Sequence, residues 1–585
     1  MQPFDPCHPV TPWRGFGYTV AALTPVVNYR CRFRPGKREP VPSASKAMRF
    51  KHRGNLLAPG LACLLLAVAD PSSAQECSPD DQSLEGLPII SISIENENIF
   101  DPEVPEQNLW IHRMMNLLHI PTRKETIEGM LLVNPEDAYS QKVIEENERL
   151  LRAQDYLHDA EIRPEVVCGE GVRLRVVSTD NWTLTGGLSA NSTGGETRTS
   201  FRLEEANLLG MGIGIKLERE TDEDREQNIL SFRDSDWFGN RKRLELVLGD
   251  NSDGHLYNLD LSRPFLQLDS TDAWAVTLNS RVYETPVYDA GVIVDKVGQD
   301  RALFQFSYQW SEGLIDDAVT RWGLGWEMSE TDYFATADFP AAAVSESEVT
   351  RFPFVTYTYL KENYLQLTNF RFIGVTEDLA IGDNLSLRLG WKDEAFGTTR
   401  EGIVFGLNYG VGSSLGEQTF AFFDLEVGYE TNRNVEGTGN INLGGRMYHY
   451  RDPDHAYLVS ATLEAARVSE PVDQYLLGGD SGVKGYPVSY QNGDRKVTLS
   501  FEKRDYFKWY PLQLFKLGTA LFAETGSAWV SGRDPNFIGD VGFGLRVVST
   551  RQSNSKVLHA DIAFPLSERD QVDSYQIYIK ARAQF

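Results

Sequence analysis

From Trp182 to the C-terminus the chain alternates apolar and polar residues, and this period of two constrains the fold more than any other feature. Segments such as Phe201 to Ala206, Met211 to Leu217, Arg243 to Leu248, Leu256 to Leu261, Leu303 to Tyr308, Phe354 to Leu360, Leu385 to Trp391, Ile403 to Tyr409 and Phe420 to Tyr429 are separated by Gly, Asn, Asp and Ser clusters. Beyond the leader described below, no stretch supplies the about 18 consecutive apolar residues of a helical membrane span. That leaves a soluble protein or a β-barrel, whose lipid face is hidden within the alternation. Aromatic residues make up 11% of the chain, with 24 Tyr, 30 Phe and 11 Trp, and favour a barrel with interfacial girdles. At about 25 residues per strand and connection, this region predicts a transmembrane antiparallel β-barrel of about 16 strands. Closing the sheet removes edges that would otherwise aggregate.

The N-terminus reads differently. Residues 1 to 47 crowd Arg30, Arg32, Arg34, Lys37 and Arg38 among prolines without a period, and are expected to be a mis-annotated or disordered extension. Residues 48 to 74 carry a basic start (Arg49, Lys51, Arg53), an apolar run from Leu56 to Ala69 and a small-residue site at Ser72, Ser73 and Ala74, the pattern of a secretory signal peptide. Cys63 raises lipidation, but Gly60 stands where a lipoprotein box wants Leu. After cleavage two of the five cysteines remain, Cys77 and Cys168. An oxidising compartment lets them pair, and two unpaired thiols is the alternative.

Residues 85 to 180 predict a small α+β domain. Ile90, Ile92 and Ile94 alternate with polar residues as in a half-buried strand. Glu106 to Leu118 places Leu109, Trp110, Met114, Leu117 and Leu118 at helical spacing, stopped by Pro121. A second helix is expected from the cap-like Asn134 to Asp137 through Val143, Ile144, Leu150 and Leu151 to about Ala153. Strands at Ala160 to Val166 and Val172 to Val177 flank the turn Cys168 to Gly171.

Two short motifs give this plan a relative. Gly482, Val483, Lys484, Gly485 and Tyr486 resemble the V-R-G-[FY] motif of the lumen loop in Omp85-superfamily outer-membrane proteins. Phe522, Glu524 and Gly526 resemble the F-x-D-x-G barrel motif on which that loop docks. Both depart from the family pattern, Lys for Arg and Glu for Asp, and Lys lacks the planar fork that makes an Arg–carboxylate pair bidentate. The order β-α-α-β-β of residues 85 to 180 is similar to a single POTRA domain, with the barrel following over 181 to 585. Asn207 to Gly212, Asp236 to Gly239 and Arg263 to Phe265 resemble early hairpin turns of the family, each with an ordinary β-turn as its alternative. Glu502 and Arg504 match a lumen-facing E-x-R pair, or form an ordinary charged lumen pair. Tyr575, Ile577, Ile579 and the final Phe585 resemble the terminal signal that such barrels present for their own assembly.

The resemblance implies insertion of proteins into the outer membrane or passage of polypeptides across it, with the N-terminal domain in the periplasm. Lipid and an unfolded client polypeptide are the implied partners, with room for accessory periplasmic proteins. The domain would receive a client by strand addition at its sheet edge; a rigid plug or spacer is the alternative. The rival function is a passive channel or structural surface antigen, and export of one secreted protein is a third reading. A net charge of −26 argues against nucleic acid. No G-x-S-x-G, H-E-x-x-H or Walker loop occurs, and His449 and His455 sit in what reads as a solvated turn, so neither catalysis, cofactor nor metal is expected.

Overall fold

The computed structural model describes residues 84–582, apart from residues 168–169, 194–195, 223–224, 240, 341–343, 371–372, 374–375, 434, 468–472 and 554–555. The expected extension, the signal peptide, Cys77, Cys168 and Phe585 lie outside the described residues.

The N-terminal domain is a three-stranded sheet packed on short helices. Strand β1 (Ile89–Glu97) runs parallel to β3 (Gly171–Asp180), which pairs antiparallel with β2 (Leu157–Val167), giving the order β1-β3-β2. Helix α1 (Trp110–Leu118) is followed by α2 (Lys124–Gly129) and α3 (Gln141–Arg152). The core gathers Ile89, Ile127, Ile144, Leu151, Ile162, Leu174 and Val176, one face of the sheet against α2 and α3. Two details depart from expectation. The short α2 is additional, and the helix expected from Asn134 starts only at Gln141. Residues 136–139 instead bond to Leu87 and Ile89 beside β1, and Glu136 adopts a φ of 79°, which no helix accommodates.

Residues 184–582 form a closed antiparallel barrel, sealed between the last strand (Gln576–Arg582) and the first (Leu184–Thr193). Among the described residues it has twenty strands, not about sixteen. The excess arises because strand and connection together average about twenty residues, many turns being as tight as Ser252 and Asp253. Alternation is realised strand by strand. On Ala318–Ala335, Trp322 and Leu324 are about half exposed on the outer wall, whereas Arg321 and Glu327 are buried inside. Arg388, from Asn384–Lys392, bonds to Glu327 at 2.7 Å along the inner wall, over the intervening strand Glu348–Lys361, while its neighbours Leu389 and Trp391 point outward. Oily side chains outside and paired charges inside invert a soluble protein and suit a lipid solvent. No helix of the described residues is long and apolar enough to cross a membrane.

The N-terminal domain lies across one end of this barrel, here termed the proximal end. The turn at Asn207–Gly212 receives it first: Arg123 N donates to the Gly210 carbonyl at 2.9 Å and Asn207 Nδ2 to Thr122 Oγ1 at 2.8 Å. A Cβ on Gly210 would come within 2.4 Å of the Pro121 carbonyl, so only glycine permits this approach. The next proximal turn sends Arg241 to the carbonyls of Gly129 and Leu131. Further round, Leu268 N donates to Glu146 Oε1 at 2.8 Å, Lys142 pairs with Glu362 at 3.7 Å, and His112 Nε2 lies 2.6 Å from the Leu512 carbonyl. The turn motif at 207–212 thus holds the domain as well as turning the chain, and Arg241, just past the 236–239 motif and braced by Asp236 Oδ1, does the same for the next turn.

Candidate functional site in the barrel lumen

Two insertions occupy the lumen, one from each end. From the distal end, the connection between His455–Arg467 and Arg495–Tyr506 descends inside the wall, carrying a short pairing of Tyr475–Leu477 with Gln491–Gly493. Its glycines make the descent feasible. Gly482 has φ +111°, and a Cβ on Gly485 would stand 2.7 Å from Asp540 Cβ and 3.1 Å from Pro565 N. The loop therefore presses backbone against the wall.

At its tip the two sequence motifs meet. Lys484 Nζ pairs with Glu524 Oε1, and Lys484 N donates to Glu524 Oε2 at 3.0 Å, so the carboxylate takes both a side chain and a main-chain donor. The ammonium also lies 4.1 Å from the centre of the Phe522 ring. A single point charge thus receives a carboxylate and an aromatic face, which stands in for the missing guanidinium fork. Gly526 completes the motif: a Cβ there would approach the Val497 carbonyl at 2.7 Å and the loop's Leu477 at 3.4 Å. Val483 and Tyr486 are buried among Leu477, Ala528 and Ile538, and the Tyr486 hydroxyl lies 2.9 Å from the Ser567 carbonyl. Lys484 and Glu524 side chains are only 5% and 10% exposed, so breaking the pair strands a charge away from water, worth about 3–5 kcal/mol.

Several members of the site escaped the motif reading. Gly485 N donates to Asp540 Oδ2 at 2.5 Å, and Asp480 pairs with Lys580 of the last strand at 2.5 Å. Arg546 and Asp561 form a buried pair behind them. Alternation marks only the inward direction of two of them, since Asp540 and Arg546 share the inward parity of Ile538–Ser549, opposite the exposed Val541, Phe543 and Leu545, and it does not mark their contact with the loop.

The second insertion rises from the proximal end. Between Glu348–Lys361 and Asn384–Lys392, a hairpin of Tyr364–Thr368 and Thr376–Ala380 enters the barrel, where sequence reading placed only a connection. The Phe370 ring sits 4.4 Å from Tyr448 and 5.2 Å from Phe422. The Asn369 carbonyl accepts from the Tyr506 hydroxyl at 2.9 Å, and Asn369 Nδ2 donates to the Pro453 carbonyl at 2.8 Å. Arg504, bonded to Glu502 at 2.9 Å, also reaches the Phe370 carbonyl at 3.4 Å. The Glu502 and Arg504 pair is therefore in the lumen, where it braces this hairpin.

The terminal residues are split by parity. Tyr575, Ile577 and Ile579 are exposed on the outer wall, while Gln576, Tyr578 and Lys580 are buried inside. His449 and His455 do not converge: His449 Nδ1 lies 3.0 Å from Thr419 Oγ1, and His455 contacts Asp452 and Asp505. Among the described residues no group of three or more His, Cys, Asp or Glu could hold a metal ion.

The class so defined is a membrane-spanning antiparallel β-barrel with a lumen-docked loop and an α+β domain seated on one mouth. Solved structures similar to it are BamA of Haemophilus ducreyi lacking POTRA domains 1–3 (TM-score 0.38, 10% identity, 84% of each chain) and CdiB of Acinetobacter baumannii (TM-score 0.41, 12% identity, 84% of this chain and 74% of that one). CdiB of Escherichia coli is also similar (TM-score 0.36, 11% identity, 88% of this chain and 92% of that one). No protein-family model and no curated protein matches the chain.

Proposed function

We propose that this protein acts in the bacterial outer membrane as a polypeptide insertion or translocation factor of the Omp85 type, with its N-terminal domain in the periplasm and without catalysis or cofactor. The observation that carries the reading is the docked loop. Lys484 anchors it on Glu524 and Phe522, and Asp480 ties it to Lys580 beside the junction of last and first strands. That junction has a weak side: the first strand carries Gly186 and Gly187, which weaken a ladder. A client strand would be gathered along β1 at the margin of the domain sheet, beyond the stretch at Leu87 and Ile89 that residues 136–139 already pair, and handed to this junction.

The test is insertion of a second, unfolded barrel protein into vesicles containing this one. Lys484→Ala should leave the protein inserted while client insertion falls, and undiminished insertion rejects the role. A passive channel is the second reading, favoured by steady conductance with no effect on other barrels. The domain across the proximal mouth and the hairpin inside the lumen oppose an open resting pore. Crosslinking in cells from Ser93, on β1, separates the clients: nascent barrels, one exported protein, or neither.

A further inference from the structure

Helix α1 is amphipathic in an unusual sense, since both of its long faces are largely apolar. One face is used: His112 is buried, stacks on Phe100 at 4.1 Å and reaches the Leu512 carbonyl, and Ile111 and Met115 pack against Ile99, Phe100 and Leu514. The other face presents Trp110, Met114, Leu117 and Leu118, spaced i, i+4, i+7 and i+8, with Ile120 just beyond. Trp110 is 69% exposed and Leu117 82% exposed, values that soluble domains avoid in clusters. Arg113 lies at the edge of this face and donates to the Asn108 carbonyl at 2.8 Å.

The position of the helix indicates the occupant. Its buried face is pinned to the proximal turn Phe507 to Leu514, which itself exposes Phe507, Trp509 and Leu512. That turn joins Arg495–Tyr506 to Phe515–Trp529, whose outer walls expose Leu499, Phe501 and Leu521. The apolar surface therefore continues from the lipid-facing wall, through the turn, to α1. Trp110 and Trp509 suit a membrane–water interface, where aromatic rings with one polar edge collect, and Arg113 lies at the rim with Lys508, which pairs with Asp454 at 3.1 Å.

We propose that α1 lies in the interfacial layer of the periplasmic leaflet, its Trp110, Met114, Leu117 and Leu118 face immersed among phospholipid acyl chains, and that it anchors the N-terminal domain to the membrane beside the barrel. This anchor needs no client and stands independently of the insertion reading.

The test uses the full chain with its own cysteines replaced, reconstituted in phosphatidylethanolamine and phosphatidylglycerol vesicles. A fluorophore is placed at Met114→Cys, Leu117→Cys, Leu521→Cys on the lipid-facing wall, or Glu161→Cys on the exposed polar side of β2. Lipids bearing a nitroxide near the top of the acyl chain should quench the labels at 114 and 117 several-fold more than the label at 161, approaching the label at 521. Leu118→Glu combined with Trp110→Glu should abolish quenching at 114 while quenching at 521 persists. Quenching at 114 and 117 equal to that at 161 overturns the proposal. Shielding of these labels only after an unfolded polypeptide is added also overturns it, and assigns the face to a client.

Discussion

At the level of single residues, the lumen loop concentrates its consequences in Lys484 and Gly485. Lys484→Ala leaves Glu524 without its cation, and the destabilisation of the docked loop should be about 3–5 kcal/mol, seen as new protease cleavage between residues 474 and 493 in folded protein. Lys484→Arg should be tolerated, since the carboxylate and the Phe522 face both accept a guanidinium. Gly485→Ala forces the loop off Asp540 and should cost about 1–3 kcal/mol by the same cleavage assay. These two residues were legible in the sequence because a rare pattern, glycines bracketing one cation, coincided with one acid on a later strand. Asp540, Asp480 and Lys580 were not, because a lone acid or base at an inward position looks like any other lumen charge until the loop is seen against it.

Among the elements, docking of α3 rests on a strained charge. Burial raises the Glu146 carboxyl above its ordinary range, despite the Leu268 N–H it accepts, and its Oε2 has no hydrogen-bond partner. A carboxyl whose value is raised in the docked state favours docking fully below its ordinary value, and that contribution is lost as pH rises through the raised one. Spin labels at Lys142→Cys and Glu362→Cys should therefore report a short-distance, docked population that falls with rising pH, and Glu146→Gln should flatten the profile. The hairpin at 364–380 makes a second prediction: its deletion should raise single-channel conductance while leaving the wall intact. Neither the hairpin nor α2 was evident from the sequence. Short polar strands such as Thr376–Ala380 carry little alternation, and a six-residue helix carries less than two turns of period. The long strands were evident because wall residues have two solvents, lipid and lumen, and each imposes its own chemistry on alternate positions. Their number was underestimated because turn length leaves no periodic mark.

For the whole molecule, the junction of the chain's two ends should behave as one unit with the loop. Asp480→Cys and Lys580→Cys, joined by a short bifunctional thiol crosslinker with a reducible spacer, should fasten the loop to the last strand and stop client insertion, with recovery on reduction. Unchanged insertion by the crosslinked protein would separate the loop from the junction. The seat of the N-terminal domain carries a different implication. It is assembled from turns at residues 207–212 and 241, which are made early, and from the turn at 512, which is made late. A half-built cylinder offers only part of that seat. Full berthing of the domain therefore requires a wall whose beginning and end are both in place, and it ties the two ends of the cylinder to one lid.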